Sequence, residues 1–271
     1  MPSGVRRRKH AAVGLALASG VNPLILSVPR PFLTAEWRNL VMLNFTVEPS
    51  LLEPHVPRGT VLDTWRGSAF VSLVGFLFAN TRILGVPVPA HRTFEEVNLR
   101  FYVRRVLPDE ERRGVTFIRE LVPRRAIALT ARLAYNEPYL ATPMRHHFGA
   151  LRPDGVPDRV EYAWGGRRGW TRLACSVSSS AREAAPDSEE EFITEHYWGY
   201  TRQRNAGTVE YRVEHPRWQV WDVDASLVEG DFGPIYGSEF ASVLRKPPAS
   251  AFLADGSRVT VYAPTRIAFP D

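Results

Sequence analysis

Glu96, Asn98 and Arg100 alternate with Val97, Leu99 and Phe101, so an extended run over residues 94–104 separates a polar face from an apolar one. The apolar face, with Val97, Leu99, Phe101 and Val103, is core material once Glu95 is passed. The other face carries Glu96, Asn98, Arg100, Tyr102 and Arg104. Two environments suit it: solvent, as for one side of many antiparallel strands, or the wall of a polar cavity. In a cavity, this carboxylate and guanidinium could move a proton and grip an anion. On a wet surface they would pair with each other and contribute little.

A second charged stretch follows. Residues 115–122 are apolar on both faces until Arg119 and Glu120 interrupt them, the pattern of an inner strand with a charged pair near its end. If buried, that pair must be satisfied, either as a structural ion pair at a barrel rim or as part of a site. Pro123 breaks the run, and Arg124 and Arg125 come next. Adjacent strand residues face opposite ways, so at most one of these arginines enters a pocket, where its planar fork would match a carboxylate. The surroundings decide what an acid here does. Desolvation or a like charge lifts a carboxyl towards neutrality as a base, whereas flanking arginines hold it low as an anchor, and the arginine-rich composition favours the anchor.

Other residues invite chemistry less strongly. Tyr139, in the turn-like run 135–139, is an added ligand-contact candidate whose alternative is packing. His146 and His147 are adjacent, so on a strand they point apart, and no spacing of histidines suits a metal; none is expected. Cys175 is the single cysteine, which rules out an intrachain disulfide and reads as a buried apolar residue. The serines over 176–180 lack a nucleophile elbow. His196 with Tyr197 and Trp198 reads as a packing face, and His215 as a buried, hydrogen-bonded histidine. No phosphate loop or dinucleotide fingerprint occurs, and no cofactor is expected.

The elements that must position these groups are short and β-rich. Strands are expected over 40–47, 115–122, 126–135, 208–213 and 218–227, with a closing strand over 258–269. Hairpins are expected for 61–65 with 68–80 over Arg66-Gly67, and for 159–164 with 170–179 over a glycine-rich turn. Capping boxes at Ser50–Glu53 and Ser188–Glu191 start short helices, the second spanning 187–197, and another helix is expected near 238–244. Residues 108–114 read as a charged turn. Many short strands with few helices argue for a barrel or sandwich.

Ordered motifs carry a resemblance over nearly the whole chain, residues 30–269. They are Leu62-Asp63-Thr64 with Gly67-Ser68-Ala69-Phe70-Val71, then Phe94-Glu95-Glu96-Val97-Asn98-Leu99-Arg100, then Pro138-Tyr139 ahead of Met144. Glu191-Phe192-Ile193-Thr194-Glu195-His196-Tyr197 and His215-Pro216-Arg217-Trp218 complete the set. Together they resemble bacterial domain-of-unknown-function family 2071, whose fold is that of acetoacetate decarboxylase. The resemblance implies a mainly β (α+β) fold, an acetoacetate decarboxylase-like antiparallel β-barrel with a few short helices, and it tips Glu96 and Arg100 towards a pocket. Similarity to the decarboxylase itself rests on Arg119-Glu120 followed by Pro123-Arg124-Arg125. That enzyme carries Arg-Glu and then Pro-Lys-Lys, the first lysine forming a Schiff base, and Glu96 is similar to its earlier acid. Here arginines stand at the lysine positions. A guanidinium stays protonated and cannot form an imine, so the resemblance implies a pocket without Schiff-base chemistry.

Composition bounds the rest. The 271 residues, 44% hydrophobic, can bury a full core, and one domain over 30–271 is expected. The net charge of +5 comes from 34 basic against 29 acidic residues, and the basic ones are nearly all arginine, Lys9 and Lys246 being the only lysines. Past residue 10 no basic stripe with interleaved aromatics marks a nucleic-acid surface. Residues 1–29 form an extension, expected disordered or weakly signal-like: Arg6-Arg7-Arg8-Lys9 precedes a short apolar run. The expectation is a cytoplasmic protein, with secretion as the alternative, no membrane span, and a homo-oligomer left open. Two functional classes stand. One is an enzyme with lyase-like or proton-transfer activity on a small oxo- or hydroxy-carboxylic acid, with Glu96 and Glu120 catalytic and Arg100, Arg124, Arg125, Asn98 and Tyr139 binding substrate. The other is a noncatalytic barrel binding a small anionic or amphipathic ligand with the same residues.

Overall fold

Apolar and alternating runs punctuated by Gly, Pro and Asn produce a sheet that dominates the chain. The computed structural model describes residues 31–88, 92–124, 136–167 and 169–269. The extension 1–29, the strand expected over 126–135, and Arg125 lie outside the described residues. The first strands are β1 (Pro31–Val47), β2 (Val61–Leu62), β3 (Ala69–Ile83), β4 (Val86–Pro87), β5 (Phe94–Val106) and β6 (Glu111–Val122). Next come β7 (Tyr139–Ala141), β8 (Met144–Phe148), β9 (Arg159–Gly166), β10 (Gly169–Val177) and β11 (Arg182–Glu183). The last are β12 (Trp198–Arg202), β13 (Thr208–Glu214), β14 (Gln219–Glu229), β15 (Ser250–Tyr262) and β16 (Thr265–Arg266). Among the described residues three short α-helices accompany them: α1 (Pro49–Leu52), α2 (Glu189–Thr194) and α3 (Gly233–Leu244).

Long antiparallel ladders join β15 to β1, β1 to β3, β3 to β5 and β5 to β6. A short parallel contact then joins β6 to β12, β12 pairs with β13, and β13 returns to β15 through Val213 opposite Val261. The result is a ring closed by two short pairings, one of them parallel: it keeps the mainly β character with few helices expected from the sequence but is not a clean antiparallel barrel. A Cβ at Gly114 would stand 2.5 Å from the Trp198 carbonyl oxygen, so a side chain there would push β6 and β12 apart. From β15 the sheet continues outwards as β14, β10, β9 and β8.

This topology makes two apolar cores. Leu40, Met42, Val74, Phe76, Tyr102 and Trp218 pack inside the ring. Val41, Leu43, Leu73, Val97, Leu99 and Phe101, on the opposite faces of the same strands, pack against Tyr162, Trp164 and Leu173 of the outer strands and Phe240 of α3. β5 is therefore buried on both sides over most of its length, and its polar face is an interior wall. Among the described residues no helix is long and apolar enough to cross a membrane.

Several boundaries differ from expectation for identifiable reasons. β1 begins at Pro31 because residues far away in β15 pair with its first half, Thr34 opposite Thr260 and Glu36 opposite Arg258. The 61–65/68–80 hairpin shrinks to a Trp65–Ser68 bridge around Arg66 and Gly67, both at positive φ, because β2 pairs with β5 instead. The segment 108–114 is only partly turn, since β6 starts at Glu111 opposite Val106. Ser188 caps α2 as expected, its Oγ accepting from the Glu191 N–H at 3.2 Å. Ser50 does not cap α1: Pro49 takes the first helical turn, and Glu48 is the cap residue without a side-chain bond.

Candidate functional site

The inward face of β5 reads Phe94, Glu96, Asn98, Arg100, Tyr102, and its neighbours set what each residue meets. On the β3 side Phe94 lies opposite Phe78, Glu96 opposite Phe76, Asn98 opposite Val74 and Arg100 opposite Ser72. On the β6 side Asn98 faces Glu120, and a bulge between Leu99 and Arg100 brings Phe117 opposite Arg100. Glu120 thus shares the inward face. Arg119, opposite Leu99, turns to the other face, so the adjacent Arg119 and Glu120 do not form a pair. β7 adds Tyr139 in parallel register with Glu120.

Phe94, Glu96, Asn98 and Arg100 of β5, with Glu120 and Tyr139, line a cavity of about 280 Å³ inside the ring. Most of the wall is apolar, with Trp37, Phe76, Phe78, Phe94, Phe117 and Trp218 among its residues. The polar lining is concentrated in Glu96, Asn98, Arg100, Glu120, Glu137, Tyr139 and the histidines His196 and His215. Asn98 Nδ2 donates to Glu96 Oε1 at 3.2 Å, and Tyr139 donates its hydroxyl proton to Glu96 Oε2 at 3.3 Å. Glu137 accepts from Thr201 Oγ1 at 3.3 Å and from the Tyr211 hydroxyl. Arg100 Nη2 donates to the Ile193 carbonyl at 3.3 Å. Asn98 Oδ1, Arg100 Nε, Glu120 Oε2 and His196 Nδ1 are buried without a hydrogen-bond partner among the described residues.

Burial governs the protonation of this cluster. It raises the Glu96 pKa to about 8, overriding the hydrogen bond from Asn98; Glu137 adds a smaller push upwards, against the hydrogen bond from Tyr139 and the charge of Arg100. Glu120 is lifted well above the usual carboxylate range by burial and then by repulsion from Glu137 and Glu96. Glu137 rises to about 7 through burial, restrained by Tyr211 and Thr201. Tyr139 is held as a neutral phenol by burial and the surrounding acids. Three carboxyl groups that cannot all ionise together keep protons near neutral pH, beside a single fixed cation. Arg100 is the only arginine or lysine among the described lining residues. The anchor role expected from an arginine-rich setting does not match this environment, because Arg119 and Arg124 face elsewhere.

The structure brings together five of the residues singled out from sequence: Glu96, Asn98, Arg100, Glu120 and Tyr139. Arg124 is a correction. It is exposed beyond Pro123 and does not line the cavity, since the strand ends before its side chain could turn inwards. Arg125 lies outside the described residues. Glu137 is a lining residue that sequence reasoning missed, although its spacing of two from Tyr139 was a usable signal for an extended segment. His196 was also missed as a polar group: its Nε2 lies 3.1 Å from Asp63 Oδ2, while Arg113 Nε holds the same oxygen at 2.7 Å. An ionised Asp63 only accepts, so Nε2 carries the proton and Nδ1 is an acceptor. His146 and His147 sit on β8, where His146 Nδ1 meets Glu95 Oε1 at 2.7 Å. Among the described residues no group of three or more His, Cys, Asp or Glu is arranged to hold a metal ion.

The chain belongs to domain-of-unknown-function family 2071, described as an uncharacterized conserved protein, which it matches over residues 34–258. It is 29% identical over 192 residues to the uncharacterized protein YqjF of Bacillus subtilis (strain 168), covering 70% of this chain and 76% of that one. Its fold is similar to that of an acetoacetate decarboxylase-like enzyme from Sphingomonas wittichii RW1, with a TM-score of 0.59 and 13% identity, covering 93% of this chain and all of that one. Acetoacetate decarboxylase from Legionella pneumophila superposes with a TM-score of 0.61 at 11% identity, over 94% of this chain and 98% of that one. The enduracididine biosynthesis enzyme MppR complexed with pyruvate gives 0.59 at 12% identity, over 94% and 98%. At such identities these structures establish the acetoacetate decarboxylase-like fold.

Proposed function

We propose that this family member is an enzyme that moves a proton on an oxo- or hydroxy-carboxylic acid, without Schiff-base chemistry. One observation carries the reading: Glu96, Glu120 and Glu137 cluster around Tyr139 on a wall that also bears Arg100. Arg100 holds the substrate carboxylate through charge-assisted hydrogen bonds, for which its buried guanidinium has unused capacity. Glu96 takes the proton α to the carbonyl in its ionised form, which its pKa of about 8 makes the minor species at neutral pH and the major one above it. Protonated Glu120 supplies a hydrogen-bond donor to the oxygen on which charge develops, while the Tyr139 phenol, which donates to Glu96, orients the base. The complex of the MppR enzyme with pyruvate supports an oxo-acid as the ligand class. Lys246, the only lysine among the described residues, is exposed beyond α3 and away from the cavity, which supports a mechanism without an imine.

The test is α-proton exchange of pyruvate and 2-oxobutanoate in deuterated water, followed by proton NMR, in wild type and Glu96→Gln. Exchange that disappears in the variant while the acid still binds is the expected result. Borohydride reduction with acetoacetate should leave no covalent adduct. The predominantly apolar wall favours a second reading, a noncatalytic barrel for an amphipathic acid. Saturable binding with no exchange above the buffer rate would select it.

A further inference from the structure

We propose that the acid carries a flat aromatic body, seated against Trp37, Phe76, Phe78 and Phe94 with its carboxylate at Arg100. This deepens the proton-transfer reading and rests on Arg100 as the carboxylate anchor. The order of residues along β5 is the first argument. Arg100 and Phe94 are six positions apart on one face, about 20 Å at ~3.4 Å per residue, and Glu96 stands between them. A ligand whose carboxylate meets Arg100 and whose reacting carbon meets Glu96 points its remaining atoms towards Phe94.

The wall there is built of rings. Phe94 stacks on Phe78 at 4.8 Å and 10°, and Phe76 lies 5.4 Å from Phe78. Trp37 meets Phe76 edge-on at 5.5 Å and 65°, and Phe78 at 6.0 Å and 81°. Such a set offers both faces and edges to an incoming ring, the arrangement in which aromatic groups attract one another beyond simple area burial. Trp37 Nε1 is buried without a hydrogen-bond partner among the described residues, so this end also has a free donor for a ring substituent. Size is the second argument. A cavity of about 280 Å³ corresponds to about nine water-sized volumes, whereas pyruvate has only about six heavy atoms. Bound alone, a three-carbon acid would leave the ring-lined end unfilled and forfeit its dispersion contacts.

The experiment is calorimetry on the full chain with pyruvate, 2-oxohexanoate, phenylpyruvate and phenylacetone, the last lacking the carboxylate. Phenylpyruvate should bind about tenfold or more tighter than pyruvate and about threefold or more tighter than 2-oxohexanoate. Phe94→Leu should weaken phenylpyruvate binding more than pyruvate binding and so narrow the gap between them. Trp37→Leu gives the same readout at a partly exposed position if the first variant folds poorly. Pyruvate or 2-oxohexanoate binding as tightly as phenylpyruvate overturns the aromatic body and leaves the proton-transfer reading standing. Phenylacetone binding as tightly as phenylpyruvate, or no acid binding to the folded chain, overturns the reading itself.

Discussion

Asp63 and Glu96 are both buried carboxyl groups, 7% and 3% exposed, and burial pushes the pKa of each upwards. Around Asp63 that push is overcome. His196 and Arg113 hydrogen-bond to it, Arg104 lies 3.9 Å away, and its pKa falls below the usual aspartate value. Around Glu96 it prevails, because the neighbours are an amide, a phenol and two further acids, with Arg100 the smallest of the influences. The lesson is that burial alone does not assign a role. A carboxylate ringed by cations is a clamp, here tying the segment after β2 to β5, β6 and the residue beyond α2. One ringed by acids and weak donors is a reservoir for protons, which the clamp cannot be at neutral pH.

The contrast is sharpest in the response to losing each acid. Glu96→Gln should lower α-proton exchange by about 10²- to 10⁴-fold, read by NMR, while the melting temperature holds or rises, because no cation is left unpaired. A variant that melts much earlier would make Glu96 a second clamp. Asp63→Ala should do the opposite, costing about 3 kcal/mol in urea unfolding because Arg113 and His196 lose a buried partner. A cost below about 1 kcal/mol would dissolve the distinction.

Acid binding separates two arginines that the sequence left side by side in role. Arg100→Lys should weaken it about ten- to a hundredfold by calorimetry, since an ammonium loses the planar fork. Next comes pH. Glu96 and Glu137 have folded pKa values above the ordinary 4.5, so the folded state binds more protons than the unfolded chain across that interval. Their contribution is fully present below about 4.5 and is lost as pH rises through about 7 to 8. Asp63 is shifted the other way, so its contribution is present above the ordinary 3.8 and is lost as pH falls. Urea unfolding at pH 5, 7 and 9 should therefore show Glu120→Gln gaining on wild type as pH rises, with no gain at pH 5. The smallest effect is expected for Arg124→Ala, whose exposed side chain should leave affinity unchanged within about twofold.

Much of the site was legible because a strand has a period of two. Glu96, Asn98 and Arg100 had to share a face whatever surrounded them, and Val97, Leu99 and Phe101 had to share the other. The environment of that face was not legible. It became an interior wall because β13 reaches β15 and closes the ring, a contact between Val213 and Val261 that no local pattern announces. Glu137 escaped notice for a similar reason: Thr201 and Tyr211, which hold it, are 64 and 74 residues further on. Asp63 and His196 are separated by 133 residues.

Residue order by itself determined the strand periodicity, the pairing of a carboxylate with a guanidinium on one face of β5, and the absence of a lysine where an imine-forming one would stand. These follow from local stereochemistry and from the side-chain inventory, neither of which needs a neighbour. Tertiary structure alone decided that Glu120 joins Glu96 while Arg119 turns away, because that depends on the bulge between Leu99 and Arg100. It also decided that Arg124 stays in solvent and that burial lifts the acids of this wall towards neutrality. Side-chain facing past a bulge and the pKa of a buried acid are set by what packs opposite, and here those groups come from strands distant in the chain.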